Sequence, residues 1–124
     1  MTELRPGNSD RVPSPRRGEV WLVNFNPGRG SEQKGVRPAL VVQNNTGNQC
    51  AATTIVAAIT TTLPPYPVTD VIRARTCGLP HDSLVNMAQV LTVDKGRLIR
   101  KLGELAPEQL AAVNRALRVS LDLT

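Results

Sequence analysis

Apolar and polar positions alternate with the period of β-strands through most of this chain. Residues 19–25 set Val20, Leu22 and Asn24 on one side and Trp21, Val23 and Phe25 on the other, which predicts a strand with both faces partly covered. Asn26, Pro27, Gly28 and Gly30 break it with turn chemistry. A second strand is predicted over 38–43 and a third, β-branched and apolar, over 53–60, with Asn44, Asn45, Gly47 and Asn48 forming a turn between them. Residues 61–68 hold Pro64, Pro65 and Pro67 and read as a loop. An edge strand is expected over 69–75, a turn over 78–82, one or two short strands over 83–93, a turn or short helical turn over 94–97, and a last short strand over 100–103.

The C-terminal stretch differs in kind. Leu110, Val113, Leu117 and Leu121 recur at spacings of three and four, the stripe of an amphipathic helix over 107–121. Pro107 suits its first turn and Glu108 the positive end of its dipole. Residues 1–15, rich in Pro, Gly, Ser and Asn, read as a disordered tail, which leaves one domain over 16–124. The pattern as a whole predicts a mostly β domain with a closing helix, its short strands arranged as a small barrel.

Composition narrows the picture. Trp21, Phe25 and Tyr66 are the only aromatic residues, so single-strand binding through rows of stacked rings is disfavoured. A net charge of +5 makes a polyanion a plausible partner. Arg73, Arg75, Lys95, Arg97, Arg100 and Lys101 outnumber the acids around them; they either track phosphates or form a solvated face. Cys50 and Cys77 stand apart and His81, the single histidine, has no metal-ligand company, so neither a zinc site nor any other cofactor is expected. His81 reads as a turn residue. No apolar run approaches the roughly 18 residues that span a bilayer, and the N-terminus lacks the apolar stretch of a signal peptide, so no membrane association and a cytoplasmic location are expected.

The richest segment is Gly30-Ser31-Glu32-Gln33-Lys34-Gly35-Val36-Arg37-Pro38. It delivers one arginine, Arg37, where a glycine-rich loop meets an apolar strand, a setting suited to gripping two phosphate oxygens with a planar cationic fork. Together with Arg17-Gly18-Glu19-Val20-Trp21, Val41-Val42-Gln43-Asn44, Ile55-Val56-Ala57-Ala58-Ile59-Thr60, Asp82-Ser83 and Gln89-Val90-Leu91-Thr92-Val93-Asp94-Lys95, it resembles the MazF/PemK/Kid family of toxin ribonucleases. The resemblance spans residues 16 to 121. It implies an SH3-like β-barrel with a C-terminal helix and a homodimer. It also implies a metal-independent endoribonuclease that cuts single-stranded RNA (mRNA) at short sequences, held inactive by a cognate antitoxin. The essential arginine and threonine of the family fall on Arg37 and Thr60, and the resemblance sets Asn44, Gln89 and Thr92 along the RNA path. Ala88 departs from the glutamate that relatives often carry, so no relative's base preference transfers.

The cheapest metal-free cleavage of RNA uses its own 2′-hydroxyl and leaves a 2′,3′-cyclic phosphate and a 5′-hydroxyl. Arg37 fits fixed electrostatic stabilisation better than proton transfer, because its pKa is so high. Thr60 offers one donor and two acceptor sites for a phosphate oxygen or the 2′-hydroxyl. Glu32 is a candidate base, or a partner of Arg37 or Lys34. Ser31, Gln33 and Lys34 contact RNA or order the loop. Gln89 and Thr92 have an alternative reading as a satisfied polar pair, and 61–68 either flanks the site and tunes sequence choice or is an ordinary connection. Two competing functions remain: a small barrel that binds nucleic acid or an acidic peptide without cutting, and a nuclease of structured tRNA or rRNA loops. An acidic C-terminal antitoxin segment over Arg37 is the expected inhibitory contact.

Overall fold

The computed structural model describes residues 13–28, 30, 34–60, 69–72, 79 and 83–123. Six strands, β1 (Glu19–Asn24), β2 (Val36–Val41), β3 (Thr53–Thr60), β4 (Thr69–Ile72), β5 (Ser83–Asp94) and β6 (Leu98–Glu104), form one sheet. Its order is β4-β5-β3-β2-β1-β6 and every pairing is antiparallel. A short helix α1 (Asn45–Cys50) joins β2 to β3, a 3-10 turn (Lys95–Arg97) joins β5 to β6, and α2 (Pro107–Leu121) closes the domain. Among the described residues, β4 and β6 end the strand order without pairing to each other, so the sheet is not closed and "barrel" describes it loosely.

Strand alternation supplies two cores. Leu40 of β2, Ala57 and Ile59 of β3, and Val85 and Met87 of β5 pack under α2 against Val113 and Ala116. The intervening residues Ala39, Val41 and Val56 turn the other way and join Val23, Phe25, Val93 and Leu98. The central strands are therefore covered on both faces, as the apolar character of 53–60 demands. α2 is tethered by Arg17, whose Nη2 donates to Asn114 Oδ1 at 2.7 Å, and by Ser120, whose Oγ donates to Met87 O at 2.7 Å. Gly18 bridges two strands, donating to Val41 O and accepting from Leu105 N–H, both at 2.9 Å. It does so at φ +92°, a conformation that side-chained residues rarely adopt.

Several expectations are corrected. β2 begins at Val36, two residues before the expected start at 38, so Arg37 belongs to the strand and not to the loop. The 44–48 turn is instead the start of α1: Asn44 caps it by accepting from Gly47 N–H at 2.8 Å. Asn48, 3 % exposed, organises the helix by bonding Gln43, Asn45 and Thr54. Of the one or two short strands expected over 83–93, one forms, longer than expected at 83–94 and with an interrupted register, and β6 runs longer than 100–103. Pro15 is buried, so folded structure starts before residue 16, while 1–12 lie outside the described residues. In α2, Val113 and Ala116 are buried and Leu110 and Leu117 partly so, but Leu121 is 55 % exposed. The 61–68 loop, Arg73, Arg75, Cys77 and His81 also lie outside the described residues.

Candidate active site

Arg37 and Thr60 stand on neighbouring strands of the sheet, Arg37 near the start of β2 and Thr60 at the end of β3. The β2–β3 ladder pairs Val41 with Val56, Leu40 with Ala57 and Ala39 with Ala58. The ladder ends there; continuing its register by two residues would set Arg37 opposite Thr60, whose paired neighbour on the other side is Leu84 of β5. Both project from one face: Arg37 shares the alternation of Ala39 and Val41, Thr60 that of Val56, and all three of those apolar residues pack in the core away from α2. Arg37 is also the rung partner of Val23, a fourth member of that core.

Proline explains why the ladder stops there. Val42 N–H donates to Ile55 O at 2.9 Å, so the even-numbered residues of β2 direct their N–H groups toward β3. Pro38 occupies the next such position beyond Leu40 and has no hydrogen to give. The last paired rung is Ala39–Ala58, and Arg37 and Thr60 stand just beyond it.

The loop before β2 is fixed at both stems. Phe25 N–H donates to Gly35 O at 2.8 Å and Gly35 N–H to Asn26 Oδ1 at 2.9 Å. Gly35 holds φ +77°, which lets the chain turn into β2. Arg97 donates from Nη1 to Asn24 O at 3.2 Å and also to Asn26 O, tying the first stem to the β5–β6 connection. Arg37 is exposed and directs its Nε to Lys34 O at 2.9 Å. That bond anchors one side of the guanidinium and leaves its two terminal nitrogens for an anion. Among the described residues, no carboxylate lies within ion-pair distance of Arg37. Thr60 is half-buried and has a bonding partner of its own.

The other candidates are distributed unevenly. Lys34 is exposed beside Arg37, while Ser31, Glu32 and Gln33 lie outside the described residues. Gln89 is half-buried where the β3–β5 register shifts between Ala57 and Ala58. Asn44 is the N-cap of α1, beyond the end of β2 opposite Arg37. Thr92 pairs with Ile55 toward the other end of β3 from Thr60. With Phe25, Pro27, Asp94 and Arg97 it lines a pocket of about 310 Å³. Arg37 and Lys34 are thus in contact and Thr60 ends the neighbouring strand on the same face as Arg37, whereas Asn44 and Thr92 lie toward the opposite ends of β2 and β3. The sequence names Pro38 only as the start of a strand and Arg97 only as one of a group of bases, whereas Arg97 binds the main chain of the loop stem, and the bond of Gly35 to Asn26 was not foreseen. A proline two positions before a paired strand core was the available signal for the first; the others depend on contacts distant in sequence.

Residues 16–121 match the profile of a family described as PemK-like, MazF-like toxins of type II toxin–antitoxin systems. An endoribonuclease MazF of Staphylococcus saprophyticus is 41 % identical over 110 residues, covering 87 % of this chain and 92 % of that one. An endoribonuclease from a mycobacterial species, solved in complex with its cognate antitoxin, superposes with a TM-score of 0.75 at 28 % identity, covering 89 % of this chain and 97 % of that one. MazF from Deinococcus radiodurans gives a TM-score of 0.75 at 26 % identity, with 88 % and 97 % covered. Among the described residues, no helix is long and apolar enough to cross a membrane.

Proposed function

Because the chain belongs to the PemK-like, MazF-like toxin family of type II toxin–antitoxin systems, we propose that this endoribonuclease toxin cuts single-stranded RNA without a metal ion. The 2′-oxygen attacks the adjacent phosphorus, the P–O5′ bond breaks, and the products are a 2′,3′-cyclic phosphate and a free 5′-hydroxyl. Negative charge builds on the non-bridging oxygens as five bonds crowd the phosphorus. The guanidinium of Arg37 is fixed positive charge at that point. Thr60 hydrogen-bonds a phosphate oxygen or orients the 2′-hydroxyl. Glu32 is the candidate acceptor of the 2′-hydroxyl proton, with Ser31, Gln33 and Lys34 holding flanking nucleotides. Asn44, Gln89 and Thr92 extend the RNA path, and a second copy of the chain completes a homodimer.

The partner in this system is a cognate antitoxin. An acidic C-terminal antitoxin segment competing with RNA for Arg37 accounts for inhibition in the cytoplasm. The single observation that supports the reading is the β2–β3 register, which ends at Ala39–Ala58 with Arg37 and Thr60 two residues further along their strands on the same face. Incubating the protein with a long RNA in the presence of a chelator, then mapping ends by primer extension and end-group analysis, tests it. Discrete cuts with cyclic phosphate ends are expected. Intact RNA, cleavage only on metal addition, or 5′-phosphate ends would refute it.

A further inference from the structure

Asn86 stands on β5 two rungs from Thr60 of the candidate site. It pairs with Ala58, while Leu84, two residues away, pairs with Thr60. Val85 and Met87, its neighbours on either side, both pack into the core beneath α2. By strand alternation Asn86 therefore projects from the opposite face, the one carrying Arg37 and Thr60. It is half-buried. A diagonal cross-strand neighbour of this kind lies about 7–8 Å away, within reach of one nucleotide held at Thr60.

The amide is also oriented. Immediately after Asn86 the ladder shifts, for Ala58 pairs with Asn86 but Ala57 pairs with Val90, so that Met87, Ala88 and Gln89 stand outside the regular rungs. Asn86 Oδ1 accepts the Ala88 N–H of this bulge at 2.9 Å. An amide held through its oxygen presents its NH2 group in a fixed direction, as a neutral donor. Phosphate is served by the cationic Arg37; a neutral, oriented donor beside it suits the uncharged edge of a base.

We propose that Asn86 is a specificity-determining residue, its Nδ2 donating to an acceptor atom on the edge of a base flanking the cut phosphate. This rests on the nuclease reading above. Asn86→Asp keeps an oxygen for the Ala88 N–H and replaces the donor with an acceptor; Asn86→Ala removes both. The test is to cut a randomised single-stranded RNA pool with wild type and each variant and to sequence the cut sites. With Asn86→Asp, the preferred base at one position of the cut word changes toward one presenting a donor. With Asn86→Ala, the preference at that same position falls by about tenfold while the other positions keep theirs. If Asn86→Ala does not fold, the aspartate variant decides alone. Superimposable site distributions from a cutting wild type and a cutting aspartate variant overturn this proposal only. A wild type that leaves the pool intact overturns the nuclease reading and this proposal with it.

Discussion

Arg37 is exposed, bonded through Nε to a main-chain oxygen, and packs into neither core cluster. Its removal should therefore separate chemistry from folding. Arg37→Ala is expected to lower kcat by about 100- to 1000-fold, the cost of losing one preorganised charge donor, with stability within about 0.5 kcal/mol of wild type. Arg37→Lys keeps the charge but loses the fork and the Nε bond, so it should recover only part of the rate. Single-turnover cleavage beside thermal unfolding checks both; near-normal cutting by Arg37→Ala would remove the assignment. Glu19 plays the opposite part. Burial raises its pKa, but hydrogen bonds from the Trp21 indole, the Arg16 N–H and Lys101 outweigh that and hold the carboxyl below its ordinary 4.5. A depressed carboxyl contributes stability in full above the ordinary value and loses it as pH falls through the lowered one. Stability measured from neutral pH down through 4.5 should fall less steeply in Glu19→Gln than in wild type. Parallel curves would show that the carboxylate is not coupled to folding.

At the scale of elements, the strands and closing helix were legible because their burial follows a simple period. The alternation over 53–60 matches β3 residue for residue, and the 107–121 stripe matches α2. What was not legible depends on partners far along the chain. The polar run Asn45–Cys50 is helical because Asn44 caps it and a buried Asn48 bonds across to Thr54. Arg37 is strand because β1 continues alongside it through the Val23 rung, a pairing that local glycine content hides. Leu121 fits the apolar stripe yet ends the helix with its side chain 55 % exposed. Two measurements follow. Asn44→Ala should destabilise the fold by about 0.5–2 kcal/mol and Asn44→Ser, which keeps a cap, by little; wild-type melting of the alanine variant would show the cap to be idle. Val113→Ala should cost about 1–3 kcal/mol by denaturant titration, whereas Leu121→Ala should stay within about 0.5 kcal/mol, and equal losses at the two positions would contradict the packing of α2.

For the whole molecule, two cores on opposite faces of one sheet make the candidate site a product of the global register. One rung of slip in β2 against β3 would carry Arg37 to the helix side and end the juxtaposition. The chemistry was nonetheless partly legible, since a motif can name Arg37 and Thr60 without their partners being known. Their proximity was not, because it requires the pairing of two strands joined through α1. Pro38 adds a consequence of a different order. The missing hydrogen is covalent, so no motion of the backbone can supply that bond to β3. The break in the ladder is therefore a fixed property of the chain and should persist for as long as the sheet is folded. On a slow temperature ramp, catalytic competence and native structure are expected to vanish at one common midpoint, with no cooler step in which the enzyme is folded but idle.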